Sequence, residues 1–301
     1  MLPPDWQQLP PSTGNHFILY PTPLMHLHHT RHGAGKPLLL IHGIGGSSHS
    51  WNPILDELAA HREVITIDLP GHGQTPPLPG PNTFYALTDA VAAWLHAHHL
   101  TGIDCVGSSM GARMVLELAR RGAVGAVVAL DPGGFWQGWQ IPFFYYSVAG
   151  SVRLLRAVEP ALPTLTGSTV GRTLLLAQFS ARPWRVPAAV ALTELRSFVH
   201  TPIFDELLRD LAYGKKQEGA PRGSIRHPLV IGWGRQDRVC FPSQARRAAA
   251  AFPDASLYWF DHCGHFPHWD QPTETVQLIL SVTGRETAAS AASAPAHQAA
   301  E

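Results

Sequence analysis

Short apolar runs, several of them ending in glycine or aspartate, alternate along most of this chain with longer amphipathic stretches. A run of four or five apolar residues suits a strand buried on both faces. A crossover of a dozen or more residues then returns the chain parallel to it, so the alternation requires a mostly parallel sheet covered by helices. Strands are predicted at 16–20, 25–30, 38–41, 64–67, 103–106, 124–130, 229–231 and 257–260, with helices at 51–60, 83–99, 110–121, after Pro242, and at 273–282. The alternation lapses over 132–223, where helix-like stretches and aromatic clusters (Phe135, Trp136, Trp139, Phe143, Phe144, Tyr145, Tyr146) carry no clear strand. The expected fold class is α/β: a core over 16–131 and 224–284, a helical insertion over 132–223, a flexible extension over 1–15, and an Ala/Ser-rich disordered tail over 285–301.

Composition narrows the function classes. With 22 basic and 22 acidic side chains in 301 residues, no broad positive field is available to gather nucleic acid or an anionic surface. The partner expected instead is a small molecule. The histidines at 26, 28, 29 and 32 and at 96, 98 and 99 lack a consistent metal-ligand spacing, and no metal site is expected from them. Three cysteines, Cys105, Cys240 and Cys263, cannot pair fully and match no metal pattern. The Pro/Gln-rich start lacks the basic and apolar regions of a signal peptide, and no apolar run reaches the ~18 residues of a membrane span. The chain reads as cytoplasmic, without a membrane span.

Four separated segments carry the chemistry. Gly107-Ser108-Ser109-Met110-Gly111 fits G-x-S-x-G, follows a predicted strand and opens a predicted helix, the context in which a strained turn exposes the central serine. His42-Gly43-Ile44-Gly45-Gly46 follows the 38–41 strand, and its glycines can turn an N–H toward a developing oxyanion, with the N–H of Met110 as a second donor. A phosphate-cradling loop would need a Lys-Ser/Thr ending that this segment lacks. Asp237 lies just past the 229–231 strand, and His265 follows the last strand in Asp261-His262-Cys263-Gly264-His265-Phe266-Pro267. Both sit at the carboxyl edge of the sheet, where open α/β sheets place their ligands. The order Ser, Asp, His is that of a nucleophile-elbow hydrolase and differs from the chymotrypsin and subtilisin orders.

These segments, together with Asp68-Leu69-Pro70-Gly71-His72-Gly73, resemble the α/β-hydrolase superfamily, specifically members with a helical cap. The resemblance spans roughly 16–283. It implies a serine hydrolase with Ser109 as nucleophile, His265 as base, Asp237 as orienting acid, the N–H groups of Ile44 and Met110 as oxyanion donors, and 132–223 as a lid; no cofactor is required. Asp131 ends the strand before the insertion, a position some relatives use for the acid, so Asp131 and Asp237 both stay candidates. Gly264 immediately before His265 favours that histidine over His262 and His268.

The serine excludes aspartate-nucleophile epoxide hydrolases and dehalogenases and cysteine-based dienelactone hydrolases. The aromatic insertion either binds an apolar acyl or aryl group, with Phe135, Trp136 and Phe266 as candidates, or glues the lid to the core. The expected reaction is ester hydrolysis through an acyl-enzyme. C–C hydrolases share Ser109-Met110-Gly111 and Cys263-Gly264-His265, but usually carry Asn in place of Ser108 and Trp in place of Phe266. A menaquinone-pathway lyase pairs the same turn with an arginine at the position of Arg113. A ligand receptor on a hydrolase scaffold is a third reading.

Overall fold

The computed structural model describes residues 25–284. Seven strands form one sheet: β1 (His29–His32), β2 (Pro37–Ile41), β3 (Glu63–Ile67), β4 (Asp104–Ser108), β5 (Val127–Leu130), β6 (Leu229–Gly234) and β7 (Ser256–Phe260). Their order is β1-β3-β2-β4-β5-β6-β7. Only β1 runs antiparallel to its neighbour; the other pairs are parallel.

The side chains of each strand divide by the pleat. Leu39, Ile41, Ile65, Ile67, Cys105, Val127, Ala129 and Ile231 enter one core. Leu38, Leu40, Val64, Val106, Val128, Leu130 and Phe260 enter the other. Period-two alternation with both faces apolar is what a buried parallel sheet demands. Helices α1 (Asn52–Ala59) and, at the end of the described residues, α11 (Pro272–Thr283) cover the second core through Ile54, Leu58, Val276 and Ile279. Helices α2 (Phe84–Ala97), α3 (Met110–Arg120) and α9 (Ser243–Ala251) cover the first. Residues 110–119 of α3 are all buried, so the helix that opens at Ser109 has a packed partner on every side.

Between β5 and β6 the chain leaves the sheet and forms α4 (Gln140–Ala157), α5 (Leu162–Gly167), α6 (Thr169–Leu176), α7 (Ala188–His200) and α8 (Phe204–Tyr213), without a strand. A short α10 (Pro267–Asp270) precedes α11.

Two strand expectations shift. The strand expected at 25–30 forms at His29–His32 instead, because His28 spends its N–H on Thr75 Oγ1 (2.9 Å) and its ring on Asp68 (2.9 Å). Residues 124–126 stay outside β5, with the Gly125 N–H taken by the Ile103 carbonyl and that of Ala126 by Asp104 Oδ1. The strand expected at 16–20, the 1–15 extension and the 285–301 tail lie outside the described residues.

Candidate active site

Ser109 stands between β4 and α3 with φ 56° and ψ −113°. A side chain in that region is strained by about 1–3 kcal/mol, and the surroundings enforce it. The Ser109 N–H is held by the Leu130 carbonyl on β5 at 2.9 Å, and its own carbonyl accepts from Arg113 N–H in α3 at 3.0 Å. The flanking glycines are required by close approach. A Cβ on Gly107 would lie 2.2 Å from the Gly111 carbonyl oxygen, and one on Gly111 would lie 2.1 Å from that of Ile41.

His265 reaches Ser109 from the loop after β7: its Nε2 is 2.8 Å from Ser109 Oγ, and its Nδ1 is 2.8 Å from Asp237 Oδ2. The other oxygen of Asp237 accepts the N–H groups of Val239 (2.7 Å) and Cys240 (3.0 Å). Two backbone donors fix Oδ1 as an acceptor, so the carboxylate presents Oδ2 to the imidazole and calls for a proton on Nδ1. Nε2 is then left free to accept from the serine. Both Asp237 and His265 are buried. His262 is exposed. His268 packs on the Trp51 ring (4.9 Å between centroids), and burial, with some help from His265, pulls it down to about 3. Neither of these two meets the serine.

Asp131 lies beside this chain without replacing Asp237 in it. It is buried, takes the Gly234 N–H on Oδ1 at 2.8 Å, and leaves Oδ2 without a hydrogen-bond donor among the described residues. Burial first, and the neighbouring Asp237 charge second, push its carboxyl well above the usual range. Burial beside another acid favours the neutral form of the Asp131 carboxyl.

The Gly-rich loop meets the serine from β2. A Cβ on Gly43 would lie 3.1 Å from Ser109 Cβ. Buried His42 accepts the Leu69 N–H on Nε2 (3.1 Å), which leaves Nδ1 to donate to the Gly43 carbonyl at 2.7 Å. Burial lowers the His42 pKa and keeps it neutral, as this bonding requires. A trans peptide points its C=O and N–H in opposite directions, so anchoring the Gly43 carbonyl aims the Ile44 N–H the other way. No acceptor among the described residues takes the N–H of Ile44 or of Met110.

Asp270 ties the inserted helices to the histidine loop. It accepts Gly264 N–H (2.7 Å), Ala181 N–H (2.8 Å) and the Ser180 hydroxyl (2.5 Å), while His265 N–H donates to the Phe179 carbonyl at 2.7 Å. His42 stood in a motif read for its glycines, and Asp270 gave no sequence signal at all.

Over Ser109 lies a narrow cavity of about 30 Å3, lined by Ile44, Phe144, Val148, Val152, Phe179, Glu194, Phe198, Phe204, Val239, His265 and Phe266 among others. Phe266 thus faces it. Phe135 and Trp136 do not: Phe135 meets Phe252 edge-on and the Trp136 indole N–H donates to the Val239 carbonyl at 3.5 Å, so both fasten the inserted segment to the core, while Trp136 also stacks on Phe144 (4.0 Å, 23°). A larger hollow of about 470 Å3, between the 71–77 loop and α7, contains none of Ser109, Asp237 and His265.

Arg113 does not reach the cavity either. Its guanidinium lies 3.9 Å over the Phe84 ring and donates to the Lys215 carbonyl at 2.7 Å, which removes the footing of the lyase reading. Asp237, Cys240 and His265 have donor atoms within 4.8 Å of one another, but the facing atoms of Asp237 and His265 are bonded to each other. Burial pushes the Cys240 thiol well up, away from the thiolate that metals prefer. No helix among the described residues is long and apolar enough to cross a membrane.

A family model described as the alpha/beta hydrolase family matches residues 38–278. The chain is 28% identical over 261 residues to an uncharacterised protein of Mycobacterium tuberculosis, covering 82% of this chain and 75% of that protein. It is 26% identical over 271 residues to a 2-hydroxy-6-oxononadienedioate/2-hydroxy-6-oxononatrienedioate hydrolase of Pseudomonas putida, covering 85% and 91%. Among solved structures, the enol-lactonase from Burkholderia xenovorans LB400 superposes with a TM-score of 0.68 at 20% identity, covering 86% of this chain and 96% of that one.

Proposed function

This chain belongs to the alpha/beta hydrolase family, and on that premise we propose that it is a serine hydrolase cleaving small, largely apolar esters through an acyl-enzyme. The observation that carries this reading is the continuous hydrogen-bonded chain Ser109–His265–Asp237, with steps of 2.8 Å and 2.8 Å, opening into an apolar cavity.

Ser109 Oγ attacks the ester carbonyl while His265 Nε2 takes its proton. The tetrahedral oxyanion is received by the N–H groups of Ile44 and Met110, a donor of this kind being worth roughly 3 kcal/mol. His265 returns the proton to the departing alcohol, leaving the acyl group on Ser109. Water, deprotonated by the same Nε2, then attacks the acyl carbonyl, releasing the acid and restoring the serine. Asp237 keeps the imidazole in the required tautomer and balances its transient charge. The inserted helices act as a lid whose apolar side chains keep bulk water away.

The test is a series of p-nitrophenyl esters of graded acyl length. The narrowness of the cavity favours short acyl groups over octanoyl, and Ser109→Ala abolishes turnover. If wild type turns over none of the series and a fluorophosphonate fails to label Ser109, the hydrolase reading is wrong and the receptor reading takes its place. A second reading, C–C bond hydrolysis, is favoured by the name of the Pseudomonas putida relative. Against it, no lysine or arginine is among the described residues lining the cavity to receive a dicarboxylate. Turnover of a vinylogous 1,5-diketone acid faster than any ester would establish it.

A further inference from the structure

Helix α7 places one charged side chain in the wall of the cavity over Ser109. Glu194 is 4% exposed and shares that wall with Phe144, Val148, Phe198 and Phe204. Its two oxygens are both 2.9 Å from Ser50 Oγ, a single hydroxyl with one proton to give. Ser50 Oγ is itself oriented as an acceptor by the Ser47 N–H at 3.1 Å. The backbone is shaped for the pair: a Cβ on Gly46 would lie 2.8 Å from Ser50 Oγ and 3.3 Å from Glu194 Oε1.

An ionised carboxylate offers about four acceptor sites, and this one receives a single donor in a wall whose other polar side chains are Ser109 and His265. Burying a charge with so few partners is unfavourable unless something else supplies donors. Nothing in the Ser109–His265–Asp237 chain uses Glu194. Resting on the hydrolase reading above, we propose that Glu194 is the specificity-determining residue of the pocket, selecting small esters whose acyl group carries a hydrogen-bond donor, a hydroxyl or an ammonium, and rejecting those that carry a carboxylate.

Burial pushes the Glu194 carboxyl up to about 7, with the Ser50 hydroxyl pulling the other way. The titratable groups near it are His265, which shares the cavity, and His42 behind Gly46, which burial keeps neutral. Selection for an ammonium therefore strengthens as pH rises through about 7, where the carboxylate forms.

The experiment compares the ethyl esters of butyrate, 3-hydroxybutyrate, 4-aminobutyrate and hydrogen succinate, followed by acid release in a pH-stat, on wild type, Glu194→Gln and Glu194→Leu at pH 8, read as ratios of kcat/KM to butyrate. Because a hydrogen bond to a charged group is worth about a tenfold to hundredfold preference, wild type favours the hydroxy and amino esters at least about tenfold over butyrate and disfavours succinate. Glu194→Gln loses the amino preference and keeps part of the hydroxy preference; Glu194→Leu loses both. A parallel arm measures calorimetric binding of ethyl 4-aminobutyrate and ethyl butyrate to Ser109→Ala, with and without Glu194→Gln. Wild-type ratios near one, or ratios unmoved by the Glu194 substitutions, overturn the proposal. If no ester is hydrolysed but the amino ester still binds preferentially through Glu194, the hydrolase reading fails and the recognition role stands. Equal binding of the two ethyl esters refutes the role whatever the turnover.

Discussion

Replacing Asp237 and Asp131 by asparagine, one at a time, separates the two acids that compete for the same imidazole. In Asp237→Asn the Val239 and Cys240 N–H groups, at 2.7 and 3.0 Å, demand an oxygen at the Oδ1 position. The new amide NH2 must then face His265 Nδ1, now 2.8 Å from an acceptor. Two donors cannot face each other, so the imidazole moves its proton to Nε2 and can no longer accept from Ser109. A wrong tautomer of this kind costs about 10⁴ in kcat, or about 5.4 kcal/mol at 1.36 kcal/mol per tenfold. Asp131→Asn should do almost nothing. Burial already favours its neutral form, and the amide oxygen of the variant keeps the Gly234 N–H at 2.8 Å. The expected loss is below about threefold, comparable to the small effect of an isosteric change. The assay is steady-state hydrolysis of p-nitrophenyl acetate, with burst kinetics to confirm that acylation is the step lost. If Asp131→Asn loses the larger factor, or the two variants lose equally, the assignment of Asp237 as the orienting acid is wrong.

Three further outcomes follow from the same geometry. Ser109→Gly should be more stable than Ser109→Ala by about 1 kcal/mol in urea unfolding, because removing Cβ at φ 56° releases about 1–3 kcal/mol of strain and costs about 0.5–1 kcal/mol of backbone entropy; equal stabilities would show that the turn is not strained. Glu194 goes from the ordinary 4.5 to about 7 on folding, so between those pH values the folded chain holds a proton the unfolded one has released. Stability then falls as pH rises through that window, by about 3 kcal/mol in all. Glu194→Gln, which cannot ionise, should match wild type near pH 4 and exceed it by about that amount at pH 8, and a gap independent of pH would refute the shift. His42→Leu frees the Gly43–Ile44 peptide and should lower kcat about tenfold to hundredfold with KM little changed, as for a loosened oxyanion donor; a change confined to KM would assign His42 to binding.

What the sequence makes legible depends on how local the physics is. The strands of the sheet show because a run such as Leu38–Ile41 has no polar residue to spend on solvent, and Ser109 shows because positions 107 and 111 admit only glycine, a Cβ there falling 2.1–2.2 Å from a backbone oxygen. The sequence favours Asp237 as the acid but leaves Asp131 open, since both follow parallel strands at the same edge; what separates them is two N–H groups of the 239–240 turn, which no residue type announces. The aromatic insertion was legible as helix but not as lining. Trp136 and Phe144 stack on each other while only Phe144 faces the cavity, an outcome set by how the helices rotate onto the sheet. Glu194 is the instructive case, because its signal was present: Ala191, Glu194, Leu195 and Phe198 fall at i, i+3, i+4 and i+7 and are the buried positions of α7, so a carboxylate sits on the apolar stripe of its own helix. A charge in that register costs stability wherever the stripe is core, by about 3 kcal/mol here at alkaline pH from the pKa of about 7. A position that carries that cost against both packing and helix pattern is where substrate selection should be sought, ahead of the larger aromatic residues that first draw attention.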